Sequence, residues 1–402
     1  MTPLSFSDAR SLVLQKVQAQ GGLRRTESVS LAHAQFRVLA QDIAADRDYP
    51  PFDRSVRDGF AVRAGDVPGL LRIVGEVRAG ERYVGTVNAG QAVEIMTGAP
   101  VPDGADAVVM VEHCERREDG SVFTDRAPER GANIAPRGCE AKQGTTFLAR
   151  GTRIDYTAVS LLATTGHAHV DVFERPRVAI LATGDEIVGV AEQPAAHQIR
   201  NSNAWSLAAQ VERAGGIPLM LPVARDIKED TRALIERGLV EADLLLLSGG
   251  VSAGKYDVVE PALADLEAEF YFDRVLIQPG QPLVFGRARG KFFFGLPGNP
   301  ASTMVTFELF ARAAIDILSG AAAAPLPTTL ARLTRDFRHR TGLTRFLPAV
   351  VEFKETEFNK VTPVAWQGSG DVPSLCHANA FLIANPERGE YPKGDLISIL
   401  MK

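Results

Sequence analysis

Three glycine-rich segments of the chain could bind an oxyanion. They read Thr183-Gly-Asp-Glu, Ser248-Gly-Gly-Val-Ser-Ala-Gly and Leu296-Pro-Gly-Asn-Pro. Glycine lets backbone N–H groups approach a phosphate closely, and a following helix N-terminus favours negative charge. Turns also need glycine, but three such segments together favour an anionic ligand over plain turns. The candidate contacts are Thr183, Gly184, Ser248, Gly249, Gly250, Ser252, Gly254, Pro297, Gly298, Asn299 and Pro300.

Acidic residues stand beside these segments. Asp185 and Glu186 follow the first, Asp226 follows the next apolar segment, and Asp257 lies just past the second. Acids suit a phosphate site only if a cation lies between them, and Mg²⁺ takes a few oxygen ligands while bridging to phosphate. The alternative, that these acids only complement helix dipoles, stays open.

A second polar group occupies residues 50–61 (PPFDRSVRDGFA) and 96–102 (MTGAPVP). The density of proline, aspartate, arginine and glycine indicates a rigid polar loop. On spacing alone, a turn between domains is the favoured interpretation. The seven histidines show no HxxxH or HxH spacing, and the chain has no recognisable nucleophile elbow.

Alternating strands and helices must position the glycine segments. The apolar run 244–247 is typical of a strand covered on both faces. A mainly parallel sheet with helices on both faces follows from the alternation, and ligands of such sheets bind beyond the carboxyl ends of the strands. We expect strands near 178–182, 217–222, 244–247, 275–277, 282–285 and 291–295, and helices near 203–214, 230–240, 258–266 and 299–318.

The residue patterns on either side of this α/β region differ from those within it. Helical spacing predicts helices over 5–20, 31–39 and 154–163. Short β-branched segments between glycine and proline predict a β-rich module from 55 to 140, and similar segments in 328–402 fit a small barrel or sandwich.

Length, net charge and composition narrow the classes of protein to which the chain can belong. With 402 residues the chain suggests two to four domains. A net charge of −5 does not favour nucleic acid, and no apolar run reaches bilayer length. The three cysteines lack a CxxC pair, and the N-terminus lacks the apolar segment of a signal peptide, so a cytosolic protein with free thiols is expected.

Taken together, the motifs resemble one family, the molybdopterin molybdenumtransferases of the MoeA type, which includes the E domain of gephyrin. The resemblance rests on residues 50–61, 96–109, 183–186, 248–254, 279–282 and 295–300, in the family's order. It implies a multidomain α/β plus β fold in four domains. These are a helical stalk of two segments (1–46 and 141–175), an inserted β module (47–140), a central mainly parallel α/β domain (176–320) and a C-terminal β-barrel (328–402).

The resemblance also implies a function. Adenylylated molybdopterin and molybdate, the second substrate, would give molybdenum cofactor and AMP with help from Mg²⁺. The expected assembly is a homodimer whose sites lie between the α/β domain of one subunit and the β module of the other. A molybdopterin adenylyltransferase and apo-molybdoenzymes are the candidate partner proteins.

The resemblance also implies roles for individual residues of this chain. Glu186, Asp226 and Asp257 match the family's active-site acids and would hold Mg²⁺, and Asp58 and Thr97 match functional positions of the β module. Four more positions belong to the expected substrate contacts. Pro297 and Pro300 match the family's turn, whereas Glu140 stands for a usual Asp and Arg274 for a usual Lys.

Several positions depart from the family pattern. Gln278 and Gln281 replace frequent lysines, and Leu343 and Pro348 replace arginines, with Arg345 a candidate substitute for one of them. Lost positive charge should weaken oxyanion contacts, because charge-assisted hydrogen bonds are the strong ones. Two alternatives therefore stay open beside the transferase: a molybdopterin-binding paralogue or scaffold without turnover, and a molybdopterin adenylyltransferase.

Overall fold

A computed structural model describes residues 1–22, 25–250, 258–355 and 358–402. The chain divides into two compact units. The larger unit contains residues 1–40, 151–156 and 169–402, and the smaller unit contains residues 41–150 and 157–168.

The larger unit is built on a six-stranded central sheet. Its strands lie in the order Ile217–Met220, Arg177–Ala182, Leu244–Ser248, Lys291–Leu296, Val284–Ala288 and Glu269–Phe272. The first four run parallel, and the last two are antiparallel to their neighbours. The leucines of the strand Leu244–Ser248 are completely buried because helices cover both faces, as the continuous apolar run predicts.

Each face of the central sheet has its own helical layer. On one face, helices Phe6–Gln20 and Ser202–Arg213 share an apolar core with the helical segment 300–318. That segment comprises Pro300–Thr306, a π-helical turn Phe307–Ala311 and Arg312–Leu318. On the other face, helices Lys228–Glu241 and Val259–Ala264 pack through a second apolar cluster. The result is a three-layer α/β/α arrangement.

A closed five-stranded barrel ends the larger unit. Its strands are Thr328–Leu333, Thr344–Glu352, Lys360–Pro363, Ala380–Ala384 and Leu396–Met401, and pairing of the second strand with the fourth closes it. Of the two architectures that the sequence left open, the barrel is confirmed. The expected strand near 275–277 was placed wrongly in the central sheet. The observed strand, Ile277–Gln278, pairs with the barrel strand Thr344–Glu352.

Smaller elements complete the larger unit. The helix expected over 31–39 is wrong: only a 3-10 turn, Leu31–His33, forms there, and Phe36 has a positive φ of 66° that ends helical geometry. The remaining elements are the paired strands Thr26–Ser30 and His169–Phe173, Ile187–Val188 and Ile199–Arg200, Phe337–Arg338 and Glu390–Tyr391, and the helix Val372–His377.

The smaller unit is β-rich, as its short β-branched segments between glycine and proline predict. Its six-stranded sheet has the order Ala107–Met110, Gly59–Val62, Gln91–Ile95, Gly69–Val77, Ser121–Thr124 and Cys114–Arg116. Two short antiparallel pairs flank it, Arg54–Ser55 with Ile134–Ala135 and Ile43–Ala44 with Thr146–Leu148, and the 3-10 turns are Ala64–Asp66 and Val111–His113. Helix Tyr156–Thr164 begins at the boundary between the units.

Across the described ranges, every helix is too short or too polar to cross a bilayer. The division into four domains stays a prediction.

Candidate active site

A cavity of about 500 Å³ lies at the carboxyl ends of the parallel strands in the larger unit. All three glycine segments contribute to its wall, because their strands are neighbours and end at one edge of the sheet. Of the residues expected to contact an anion or metal, it brings together Thr183, Gly184, Glu186, Asp226, Ser248, Gly249, Gly250, Pro297, Gly298, Asn299 and Pro300. Ser252, Gly254 and Asp257 lie outside the described residues.

Two adjacent glycines form the tightest part of the wall. Gly249 and Gly250 have φ values of +92° and +61°, a region that side chains disfavour. A Cβ atom on Gly249 would lie 2.8 Å from the backbone oxygen of Thr183, and one on Gly250 would lie 2.8 Å from the Thr183 hydroxyl. The turn therefore packs backbone directly against the end of the first strand, which only glycine allows.

Two carboxylates converge on the cavity from separate loops. The loop of Asp226 is held to the loop of the first glycine segment by two long hydrogen bonds. The Asp226 backbone amide donates to Asp185 Oδ1 at 3.2 Å, and the Asp185 backbone amide donates to Asp226 Oδ2 at 3.4 Å. Glu186 folds back over Gly184, where a Cβ atom would come within 2.5 Å of Glu186 Oε2. Both Glu186 and Asp226 line the cavity and are exposed to it.

Two buried polar atoms in this wall lack a hydrogen-bond partner within the described ranges. They are the Thr183 hydroxyl, on a residue only 4% exposed, and Asn203 Oδ1. Buried polar groups are seldom left unsatisfied, so these two atoms are exceptions within the described part of the wall.

Asn203 is a site residue that sequence reasoning missed. Its amide Nδ2 donates to Ser248 Oγ at 2.9 Å and to the Gly298 carbonyl at 2.7 Å, and so connects two glycine segments. Asn201 caps the same helix by accepting from the Ala204 amide at 3.1 Å. The polar run at 200–203 directly before a helix was the available signal, but it predicts a cap and not a cavity contact.

Asn299 lines the cavity without capping the helix that follows it. It occupies the N-cap position of helix Pro300–Thr306, yet its side chain makes no capping bond. Its Nδ2 instead donates to Ser369 Oγ at 2.9 Å, so it connects the third glycine segment to the chain beside the barrel.

The donor set is compatible with a magnesium ion that also binds substrate. Among the described residues, no group of three or more His, Cys, Asp or Glu side chains is placed to hold a metal ion. Glu186 and Asp226 nevertheless line one cavity, and Mg²⁺ in proteins uses one or two carboxylates together with water and substrate phosphates. Arg200, also in the wall, is the only basic side chain among the described lining residues.

In the smaller unit the structure brings Asp58 and Thr97 together. The amide and hydroxyl of Thr97 both donate to Asp58 Oδ1, at 2.6 and 2.9 Å. These bonds favour the charged carboxylate and hold the pKa of Asp58 below its usual range. The loop 50–61 therefore presents a fixed, ionised carboxylate.

Two other expected contacts are placed differently. Glu140 forms an ion pair with Arg54 in the smaller unit, with 2.6 Å between Oε1 and Nη2. Arg274 is exposed, is absent from the cavity wall, and its backbone oxygen accepts from the Leu4 amide at 3.1 Å. The structure therefore gives Arg274 no contact with the cavity.

The fold and cavity define a class: a multidomain α/β protein with a polar cavity at the edge where such sheets bind ligands. Family models agree with this class. One described as the MoeA N-terminal region (domain I and II) matches residues 4–166, a "Probable molybdopterin binding domain" matches 179–316, and the MoeA C-terminal region (domain IV) matches 330–401.

Whole-chain relatives narrow the class to one family. The chain is 36% identical to a molybdopterin molybdenumtransferase of Bacillus subtilis, covering 100% of this chain and 94% of that protein. It is 32% identical to one of Staphylococcus epidermidis, covering 100% and 96%. A crystal structure of a MoeA protein from Pyrococcus horikoshii matches with a TM-score of 0.85 at 28% identity over both whole chains. The chain therefore belongs to the MoeA family of molybdenum cofactor biosynthesis proteins, and the expected fold class is confirmed.

Proposed function

We propose that the chain transfers molybdenum from molybdate to adenylylated molybdopterin and releases AMP. The observation that carries this proposal is the cavity at the carboxyl edge of the central sheet, where two carboxylates, glycine turns and two unpartnered polar atoms meet. Whole-chain relatives with the transferase name support it.

The chain's own residues would bind and orient the substrate. The glycine turns would offer backbone N–H groups to a phosphate oxygen, and Asn203 holds the turns at Ser248 and Gly298 in fixed positions. Preorganised donors of this kind stabilise charge that develops on oxygen as a phosphate bond breaks.

A divalent ion is part of the proposal. Glu186 and Asp226 would hold Mg²⁺, together with Asp257, which lies outside the described residues. The ion would supply positive charge against the phosphates.

The proposed assembly is a homodimer in the cytosol. In it, the ionised Asp58 of one subunit would orient substrate bound to the central sheet of the other. The hydrogen bonds from Thr97 keep this carboxylate charged and fixed, as such a role requires. Docking with an adenylyltransferase and with apo-molybdoenzymes belongs to the same proposal.

The two alternatives are not favoured. Adenylylation of molybdopterin and turnover-free scaffolding would each need their own support. The relatives that match this chain along its full length are named as transferases.

The test is reconstitution with purified chain, adenylylated molybdopterin, molybdate and Mg²⁺, following AMP by chromatography and activation of an apo-molybdoenzyme. Asp226→Asn and Glu186→Gln should each reduce AMP release at limiting Mg²⁺ by about tenfold or more, because each removes a metal-directed charge. Excess Mg²⁺ should restore part of the rate.

Asp230→Asn is the matched control. Asp230 is an exposed acid in the first turn of helix Lys228–Glu241, outside the cavity wall, so its loss should leave the rate unchanged. Wild-type AMP release and an unchanged Mg²⁺ requirement in Asp226→Asn would contradict the proposal. ATP-dependent adenylylation of molybdopterin would support the adenylyltransferase instead.

A further inference from the structure

A second cavity, an open groove of about 560 Å³, lies within the smaller unit. Three segments of the chain form it: 52–53, the loop 80–83 after strand Gly69–Val77, and the segment 100–103 after strand Gln91–Ile95. Neither Asp58 nor Thr97 belongs to its described lining. The groove has the volume of an ordinary binding pocket, and the proposed transfer reaction gives it no role.

One wall of the groove is apolar. Its members are Phe52, Tyr83, Pro100, Val101 and Pro102. The Tyr83 ring packs against the backbone at two glycines: a Cβ atom on Gly75 would lie 2.6 Å from its Cε2, and one on Gly85 would lie 3.1 Å from its Cε1. The ring is therefore held in place, and a preformed wall of this kind needs little ordering when a partner binds.

Hydrogen bonds also hold the segments together. The Val101 amide donates to the backbone oxygen of Asp53 at 2.9 Å, and the Val87 amide donates to the backbone oxygen of Asp103 at 2.8 Å. The Asp53 side chain is fixed as well, because its Oδ1 accepts from the Arg137 backbone amide at 2.7 Å. The groove is thus built before any partner arrives.

The rim of the groove is acidic. Asp53, Glu81 and Asp103 are exposed there, and Arg82 is the only basic side chain among the described lining residues. Arg82 lies 3.8 Å from Asp103, but the two side chains are 81% and 77% exposed, so solvent screens this pair. The groove therefore keeps a negative charge, which opposes molybdate and the phosphates of adenylylated molybdopterin as its ligands.

An apolar wall beside an acidic rim is complementary to arginine. Guanidinium stacks on aromatic rings and pairs with carboxylates in a bidentate manner. Phe52, which is 41% exposed, and Tyr83 provide the rings, and the three acids provide the carboxylates. One side chain would leave much of a groove of this volume empty, so its neighbours in an extended segment would cover the proline-rich part of the wall.

We propose that this groove docks an extended, arginine-containing segment of another protein. The arginines lie at the acidic rim and against the two rings, and the adjacent apolar residues lie on the wall formed by residues 100–102. Docking at this groove needs no turnover, so it is tested separately from the transferase reaction.

Fluorescence anisotropy with the full-length chain measures this docking. The probe is a fluorescein-labelled peptide of sequence PLRLRP. Its matched control replaces both arginines by citrulline, which keeps the shape of arginine and removes the charge. The arginine peptide should bind saturably and about tenfold or more tightly than the citrulline peptide. Raising NaCl from about 0.05 to about 0.5 M should weaken its binding, because salt screens exposed charges.

Paired variants test the rim and the wall. Glu81→Lys should weaken binding of the arginine peptide by about tenfold, whereas Glu118→Lys makes the same charge change at an exposed residue outside the described lining and should leave it nearly unchanged. Phe52→Ala should also weaken binding, whereas Val84→Ala should not, because Val84 is 94% exposed and absent from that lining. Circular dichroism shows whether each variant keeps its fold.

A photo-leucine in the peptide identifies where it binds. Crosslinks mapped by mass spectrometry should fall on segments 80–83 and 100–103. The proposal is overturned by crosslinks confined to other segments, by equal binding of the citrulline peptide, or by equal losses in Glu81→Lys and Glu118→Lys. No saturable binding up to about 1 mM peptide overturns it too. Arginine amide that binds as tightly as the peptide would make the groove a site for a small cation and would refute docking of a segment.

Discussion

Replacing Gly249 by alanine tests the tight backbone packing at the cavity. The new Cβ would lie 2.8 Å from the Thr183 backbone oxygen, which belongs to the end of a buried strand and cannot move aside cheaply. The φ of +92° adds conformational strain. We expect about 1–2 kcal/mol from the backbone conformation and about 1–3 kcal/mol from the clash, so the free energy of unfolding should fall by about 2–5 kcal/mol.

Gly298→Ala is the matched control in the same cavity wall. A Cβ there meets only the Gly249 Cα at 3.6 Å, an ordinary contact, and the backbone is not in the positive-φ region. Its free energy of unfolding should therefore change by only about 0.5 kcal/mol.

Urea unfolding followed by tryptophan fluorescence measures both variants. Trp205 and Trp366 are the only tryptophans of the sequence and both belong to the larger unit, so the signal reports the unit that contains the cavity. Equal stability of Gly249→Ala and Gly298→Ala would refute the packing argument.

Three further predictions concern other parts of the chain. Thr97→Val removes the hydroxyl hydrogen bond to Asp58, so the lowered pKa of Asp58 should rise toward the ordinary value in a ¹³C NMR titration. An unchanged pKa of Asp58 would show that this hydrogen bond does not lower it. The stabilisation from this contact is present above the ordinary aspartate pKa and is lost as pH falls through the lowered one. Burial raises the pKa of the Cys114 thiol to about 11, so at pH 8 DTNB should modify it far more slowly than the two exposed cysteines. Equal rates for all three thiols would rule this out. Glu308→Ala leaves Arg213, Arg312 and Gln210 without their shared carboxylate partner and should cost about 2 kcal/mol in urea unfolding, whereas an unshifted midpoint would show that this cluster contributes nothing.

Much of the fold follows from local pattern. The apolar run at 244–247 and the alternation of strands and helices predict the parallel core, and the observed strands begin and end within a few residues of expectation. The wrong helix at 31–39 and the misplaced strand at 275–277 have one cause. In both segments the apolar pattern is short, and pairing with distant chain decides the structure: Val38 and Leu39 bridge to Arg153 and Val172, and Ile277–Gln278 pairs with the barrel.

The candidate site could be predicted only in part. Its glycine segments and acids carry motifs, and strand ends at one sheet edge bring them together. Asn203 carries no motif, since its role depends on partners 45 and 95 residues away.

The sequence by itself determined the strand ends, the glycines and the acids of the first cavity, because backbone freedom and hydrophobic periodicity are encoded within a few neighbouring residues. The tertiary structure alone decided which polar atoms are buried without partners and which loops line one cavity. Those properties depend on which distant segments exclude water from one another, and that is settled only when the central sheet and the barrel have packed together.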